Sequence, residues 1–283
     1  KRIHTLPISE DGNLNLAVGT ALMGYVPVVD VISCDFIYRC MDSLVNTAAK
    51  LEGHTIVVRA ETILGGPTTG QRPEASLAHV PGLNVVIPST PRDAYGLMAA
   101  ALQHLGVTVF IEDRMIEDSG PWLTGDLVVG EWLQAPGAIA KRFLPMSTEK
   151  RLMPMVTVLC YGRMRQVVER AVGSWQLAWD GDYYCEPNYS VDILDMSSIY
   201  PFDFDYLKGG RYGVVKRTRK LLIVEPDVVY GGVGAEIAAW VAEHLPSVKV
   251  KRLGARRERI SAAHPERSLL TEQEVLDAIV SFD

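Results

Sequence analysis

The sequence predicts an α/β protein of two domains, each built on a parallel sheet flanked by helices. Three observations carry that expectation. Short apolar runs rich in β-branched residues alternate with helical patterns. The runs are nearly continuous in hydrophobicity, as strands covered on both faces are. The chain has 283 residues, enough for two domains of ordinary size.

The elements follow in order. A helix is expected over residues 12–24, where Ala17, Gly19, Thr20 and Ala21 allow close packing. A strand over 26–32 comes next. Met41, Leu44, Val45 and Ala48 then recur at helical spacing within 38–51. Strands are expected over 55–61, 84–88 and 107–112, with a helix over 93–105. Between 114 and 154 the alternation breaks. Gly120-Pro121, Pro136-Gly137, Pro145 and Pro154 punctuate that stretch, so the domain boundary is placed near residue 148. The first domain is then 1–148 with its linker, and the second is 149–283. Further strands are expected over 156–161, 190–194, 220–224 and 248–253, with a helix over 234–244.

Composition narrows the function classes. Apolar residues make up 48% and charged residues 22% of the chain, as in globular proteins generally. A net charge of −6 argues against a sequence-independent grip on nucleic acid. The basic runs Lys216-Arg217-Thr218-Arg219-Lys220 and Arg256-Arg257 sit among acidic neighbours and read as solvated faces. Cys34, Cys40, Cys160 and Cys185 form no C-x-x-C pair and have no His at metal-ligand spacing. They are expected as buried, reduced thiols of a cytosolic protein. No run approaches the roughly 18 apolar residues of a membrane span, and no signal-peptide pattern is present. The sequence begins at Lys1 without Met, so an upstream segment is expected to be missing. Cytoplasm or an organelle matrix is the expected location.

The chemistry begins at Leu6-Pro7-Ile8-Ser9-Glu10-Asp11-Gly12, where a carboxylate precedes a helix of small residues. On spacing alone, Ser9 reads as an N-cap and Glu10 as a first-turn residue favoured by the helix dipole. The longer run PISEDGNLNLAVGTALMGYVPVVDVISCDFIYRCMDSLVNTAAK says more. It resembles, without a gap, the β subunits of pyruvate-type 2-oxo acid dehydrogenases in the transketolase-like superfamily. Their pattern is P-I-S-E, a Gly/Ala-rich helix, G-x-x-P-V-x-E, an aromatic region and D-Q-x-x-N-x-A-A-K. His79-Val80-Pro81-Gly82-Leu83 with Val85 to Ser89 is similar to the family's H-I-P-G-L-x-V-V-x-P. Asp93-Ala94-Tyr95-Gly96-Leu97 is similar to its D-A-x-G-L-L. Cys160-Tyr161-Gly162 and Gly234 to Ala239 resemble stretches of its last domain.

The resemblance implies a thiamine-enzyme pyrimidine-binding domain followed by a smaller transketolase C-terminal domain. It implies thiamine diphosphate as cofactor. Glu10 would hydrogen-bond a ring nitrogen of the aminopyrimidine, favouring the tautomer whose exocyclic nitrogen takes up a proton. Phe36 would stack on that ring, and Ile8 and Ile32 would pack beside it. The G-D-G…N motif that binds diphosphate and magnesium is absent: neither Glu10-Asp11-Gly12 nor Trp179-Asp180-Gly181-Asp182 fits it. The resemblance therefore implies an α partner, or a fused α half, that holds Mg2+. It further implies an α2β2 heterotetramer with a second β subunit, and a lipoyl or acyl carrier protein as a further partner. No metal site of the chain's own is expected.

Four departures from the family pattern concern the substrate side. Counting back from His79, the family's Q-H-S-Q-S falls on Thr68-Thr69-Gly70-Gln71-Arg72, so Thr69 stands where the family has an active-site His. Thr69 hydrogen-bonds but is no acid or base near neutral pH. The segment Gly65 to Thr69 also resembles the G-P-T-H of transketolases, again without the His. Arg39 stands where Gln is usual, three residues after Phe36 and near the same helix face. It would clamp a phosphate or carboxylate, or else form a salt bridge. Gln103-His104-Leu105-Gly106 replaces E-D-x-N/D-P, which argues against a potassium site. Ser197-Ser198-Ile199-Tyr200-Pro201 replaces R-T-L-x-P. Three functions fit these residues. The first is decarboxylation of a 2-oxo acid with acyl transfer. The second is transketolase-like transfer of a two-carbon ketol or acyl unit to a carrier protein or small molecule. The third, disfavoured because Glu10 and Phe36 are both present, is a non-catalytic subunit of the same fold. Gly231-Gly232-Val233-Gly234 resembles an anion-binding turn, with a structural role as its plainer explanation.

Overall fold

The computed structural model describes residues 3–63, 70–116, 140–143, 154–179, 190–208, 215, 218–260 and 263–282. It forms two compact units, Lys1–Pro136 with Ser198–Pro201, and Gly137–Ser197 with Phe202–Asp283. In chain order the strands are β1 (Val28–Ser33), β2 (Thr55–Thr62), β3 (Leu83–Val86), β4 (Gly106–Asp113) and β5 (Ala140–Phe143). They continue with β6 (Pro154–Cys160), β7 (Ser190–Met196), β8 (Ser198–Tyr200), β9 (Lys220–Val228) and β10 (Lys249–Ala255). The helices are α1 (Glu10–Leu22), α2 (Cys34–Ile37), α3 (Glu74–Ala78), α4 (Pro91–Ala101), α5 (Met164–Trp179), α6 (Phe204–Lys208), α7 (Val233–His244) and α8 (Glu272–Val280).

The first unit holds a sheet of order β1-β2-β4-β3-β8. Its first four strands are parallel, as the apolar runs predict, and β8 adds to β3 in antiparallel fashion through Val85↔Tyr200 and Val86↔Ser198. The central strands β2 and β4 are buried along most of their length. The edge strand β1 differs. Val29, Val31 and Ser33 point into the core, whereas Val28, Asp30 and Ile32 are exposed. An edge strand with one uncovered face needs only every second residue apolar to the core.

Helix α1 starts two residues earlier than its small-residue pattern, because Ser9 caps it by accepting from the Gly12 amide at 3.3 Å. Leu14, Ala17, Val18 and Ala21 form its buried face at i, i+3, i+4, i+7 spacing. The single helix expected over 38–51 is instead a broken run. It begins earlier with α2, tightens to a 3-10 turn at Tyr38–Cys40, widens to a π-helical segment at Ser43–Thr47 and ends in a 3-10 turn at Ala48–Lys50. Leu44 and Ala48 remain fully buried.

The second unit has order β10-β9-β6-β7-β5, with β5 antiparallel on β7 and the other four strands parallel. Val158, Val168, Val191, Leu222, Val224, Val275 and Ile279 lie in its core. Helix α8 carries a full capping box between Thr271 and Glu274. Helix α7 explains the glycine-rich turn. Its start faces the carboxylate of Glu225, fully buried, which accepts from the Gly234 amide at 3.0 Å and from Arg252 Nη2 at 2.8 Å. The turn thus holds an anion of the chain's own, which favours the structural explanation. Burial still pushes the Glu225 carboxyl above its ordinary range, against the pull of the Gly234 amide and Arg252.

Cys34, Cys40 and Cys160 are free and buried. Burial, with lesser help from Asp11 and Glu10, pushes the Cys40 thiol up to about 11, so it is inert at neutral pH. Cys185 and the pair Lys216-Arg217 lie outside the described residues. No described helix is long and apolar enough to cross a membrane.

The P-G-L step has a packing reason. Gly82 has φ +93°, and a Cβ there would overlap the carbonyl oxygen of Ala49. Gly82→Ala combines left-handed strain with a clash against backbone and is expected to cost at least about 2 kcal/mol, measured as a lowered urea midpoint of unfolding.

Candidate functional site

The site is built where α1 meets the end of β1. Glu10 is the first residue of α1, and its side chain is only 14% exposed. Its neighbour Asp11 joins a three-residue clamp. Ser43 Oγ donates to Asp11 Oδ1 at 2.5 Å, and Asn15 Nδ2 donates to Ser43 Oγ at 2.6 Å. The clamp ties the start of α1 to the π-helical segment, and so to the turn that carries Arg39. Arg39 Nε reaches Glu10 Oε2 at 3.3 Å, although the arginine side chain is 69% exposed. Of the two outcomes expected for Arg39, the structure shows a salt bridge, made to Glu10.

The apolar candidates are open or half-open to solvent. Ile8 lies two residues before Glu10 and is 93% exposed; Ile32 is 59% exposed; Phe36 is half-buried in α2. Ile32 adopts φ +67° at an irregularity in the β1–β2 pairing, with its amide donating to Asp30 Oδ1 at 2.9 Å. A β-branched residue in that region costs about 1–3 kcal/mol, a strain that clusters at functional sites. Thr69 lies outside the described residues.

Sequence reasoning missed the groups that anchor the chain just past Thr69. Asp35 accepts from the amides of Gly70 at 3.2 Å and Gln71 at 3.0 Å, and receives the Ser33 hydroxyl at 2.8 Å. Arg72, buried, pairs with buried Asp113 at the end of β4, at 3.1 Å. Burial, with Glu74 adding to it, holds the nearby Cys34 thiol far above its usual range. A second charge cluster lies on β1, β2 and β4, where Arg59 meets Asp30 at 3.0 Å, Glu61 at 2.7 Å and Glu112 at 2.5 Å. The legible signal for Asp113 and Glu112 was acidic residues at the end of an apolar strand.

Among the described residues, no group of three or more His, Cys, Asp or Glu is arranged to hold a metal ion.

Comparison with known proteins decides the family. Residues 1–116 match the transketolase pyrimidine-binding domain, and residues 148–275 match the transketolase C-terminal domain. A "2-oxoisovalerate dehydrogenase subunit beta" of Pseudomonas aeruginosa is 32% identical over 259 residues, covering 86% of this chain and 69% of the relative. The chain belongs to the transketolase-like family of 2-oxo acid dehydrogenase β subunits. A "Pyruvate dehydrogenase E1 component subunit beta" of Porphyra purpurea is 29% identical over 256 residues, with the same coverages. A solved structure titled "Split gene transketolase, inactive beta4 tetramer" shares the fold, with a TM-score of 0.74 at 19% identity, covering 97% of this chain and 82% of that one. The resemblance drawn from Pro7 to Lys50 and the expected α/β class are both borne out.

Two outcomes test the site's construction. Asp113→Ala removes the carboxylate that hydrogen-bonds buried Arg72, leaving Glu74 as a charged neighbour, and is expected to cost about 3 kcal/mol, read from denaturant unfolding. Arg39→Gln removes a mostly exposed pair and is expected to change stability by less than about 1 kcal/mol in the same assay.

Proposed function

We propose that this β subunit is one half of a thiamine diphosphate-dependent enzyme of the 2-oxo acid dehydrogenase type, active only with an α partner. The observation that carries the proposal is Glu10, a shielded carboxylate at a helix start, in a unit that also leaves Ile8, two residues before it, and Ile32, on β1, open to solvent. A half-pocket of this kind needs a second surface to close it. Leu16, Leu22, Met23, Tyr25, Val26 and Val28 are also exposed on α1 and the approach to β1, an apolar area of the kind that marks a partner interface.

When bound, thiamine diphosphate would supply a nucleophilic carbon and an electron sink for the decarboxylation of a 2-oxo acid. Glu10 would deliver a proton to the aminopyrimidine ring nitrogen and, as carboxylate, accept the hydrogen bond of the N–H so formed. Phe36 would stack on the ring, and Ile8 and Ile32 would exclude water from its edges. The α partner would hold the diphosphate and Mg2+, for which this sequence carries no motif. The assembly would be α2β2, with domains at 1–148 and 149–283, in the cytoplasm or an organelle matrix, delivering its product to a lipoyl or acyl carrier protein.

Arg39 favours a second reading. Its guanidinium reaches Glu10 through Nε, which leaves the two terminal nitrogens for a phosphate or carboxylate. With Thr69 in place of the family's His, transfer of a two-carbon unit from a ketose phosphate would suit these residues. The reconstituted α/β pair separates the readings: decarboxylation of 2-oxo acids with an artificial electron acceptor supports the first, and turnover of ketose phosphates alone supports the second. In either case Glu10→Gln is expected to leave the circular dichroism spectrum unchanged and to lower turnover at least about 100-fold. Unchanged turnover removes Glu10 from the mechanism.

A further inference from the structure

The first unit carries a second cleft, of about 290 Å3, at the amino ends of β3 and β4 and the segment before β2. Because β1 to β4 are parallel, this is the end of the sheet opposite Ile32 and Phe36. The cleft is therefore separate from the candidate site, and nothing about it rests on the thiamine reading. Its volume sits near the lower end of small-molecule sites.

Its lining divides into three chemistries. Leu51, Leu83 and Leu105 supply an apolar wall, and Leu105 and Tyr200 are its exposed members. Asn84 and His104 supply nitrogen donors at one spot. Gly106, at φ +130°, has no side chain there, and the position its Cβ would take lies 3.6 Å from His104 Nε2 and 3.8 Å from Asn84 Nδ2. Two donors thus border one small space, which suits a carboxylate once His104 carries its proton on Nε2. Glu52 supplies the opposite charge. None of the side chains of Glu52, Asn84 and His104 has a hydrogen bond or ion pair among the described residues.

We propose that this cleft binds a small zwitterion with an apolar side chain, of the aliphatic α-amino acid class. The carboxylate sits at Asn84 and His104, the ammonium faces Glu52, and the side chain lies on Leu51, Leu83 and Leu105. A hard cation alone would leave both nitrogen donors and the leucines unused. The bound molecule would touch Ala49 and Leu51, which end the helical run that starts at α2.

The test is isothermal titration of the full chain with L-leucine, alongside 3-methylbutylamine, 4-methylpentanoate and potassium chloride. Saturable binding of L-leucine is expected, with the amine and the acid each at least about tenfold weaker, since each lacks one charged hydrogen-bonding end. Glu52→Gln and Asn84→Ala are each expected to weaken L-leucine about tenfold while preserving the circular dichroism spectrum. His104→Leu, which removes the other donor, is likewise expected to weaken L-leucine about tenfold and serves if Asn84→Ala fails to fold. The proposal is overturned if L-leucine does not bind, if amine or acid binds as tightly, if only potassium gives heat, or if the folded variants bind L-leucine as the parent does.

Discussion

The hydroxyl of Ser43, held between Asp11 and Asn15, is the interaction on which the working end of the first unit depends. A sheet edge offers little to fix a neighbouring helix, since β1 buries only half its residues. The helix face of Leu14, Ala17, Val18 and Ala21 supplies the adhesion, but apolar contact is non-directional. A short charge-assisted bond from Ser43 to Asp11 adds direction. It ties the start of α1, next to Glu10, to the π-helical segment that follows the Arg39 turn. The widened backbone at Ser43–Thr47 lies where that bond forms, in keeping with the tendency of such bulges to occur at functional sites.

Much of this was legible in the sequence. All eight strands read from β-branched runs are present, because buried parallel strands leave an unambiguous pattern. The family resemblance rested on glycines and prolines with local causes, such as Gly82 against Ala49. What escaped notice has physical reasons too. Strand β8 is three residues long, mostly Ser and Tyr, and exists because β3 offers it an edge. Helix α5 and helix α8 are amphipathic, but their apolar positions are interleaved with charges that hide a narrow core stripe. The break of the 38–51 helix into three kinds of turn could not be read from spacing that fits any helical pitch roughly. Among the site residues, Glu10 and Phe36 were visible through motif, whereas Asp35 and Asp113 act on backbone and side chains far along the chain, which no local pattern encodes.

Three buried carboxylates, from both units, are each paired with a guanidinium. Arg72 with Asp113, Arg165 with Asp195 and Arg252 with Glu225 each place a guanidinium beside a carboxylate that is 3% exposed or less. Such pairs add little net stability over apolar packing, yet each forbids the rearrangement that would separate its members. For Arg72 the consequence is local: its pair with Asp113 anchors the chain that leads into α3. Asp35 adds a second anchor through the Gly70 and Gln71 amides.

Helix α7 and Glu225 carry a different lesson. A Cβ at Gly234 would come within 2.8 Å of the Glu225 carboxylate, and the space at Gly232 is taken by the same group. The glycines are thus in part the imprint of a carboxylate seven and nine residues upstream, with the Val228 carbonyl at Gly232 and Ile223 at Gly234 closing the same space. Among descendants of this fold, retention of the acid should forbid any side chain there. A glycine-rich helix start in an unknown relative can accordingly be sorted by looking upstream: an acidic residue at the end of the preceding strand marks a filled socket, and an apolar one marks a socket still open to phosphate.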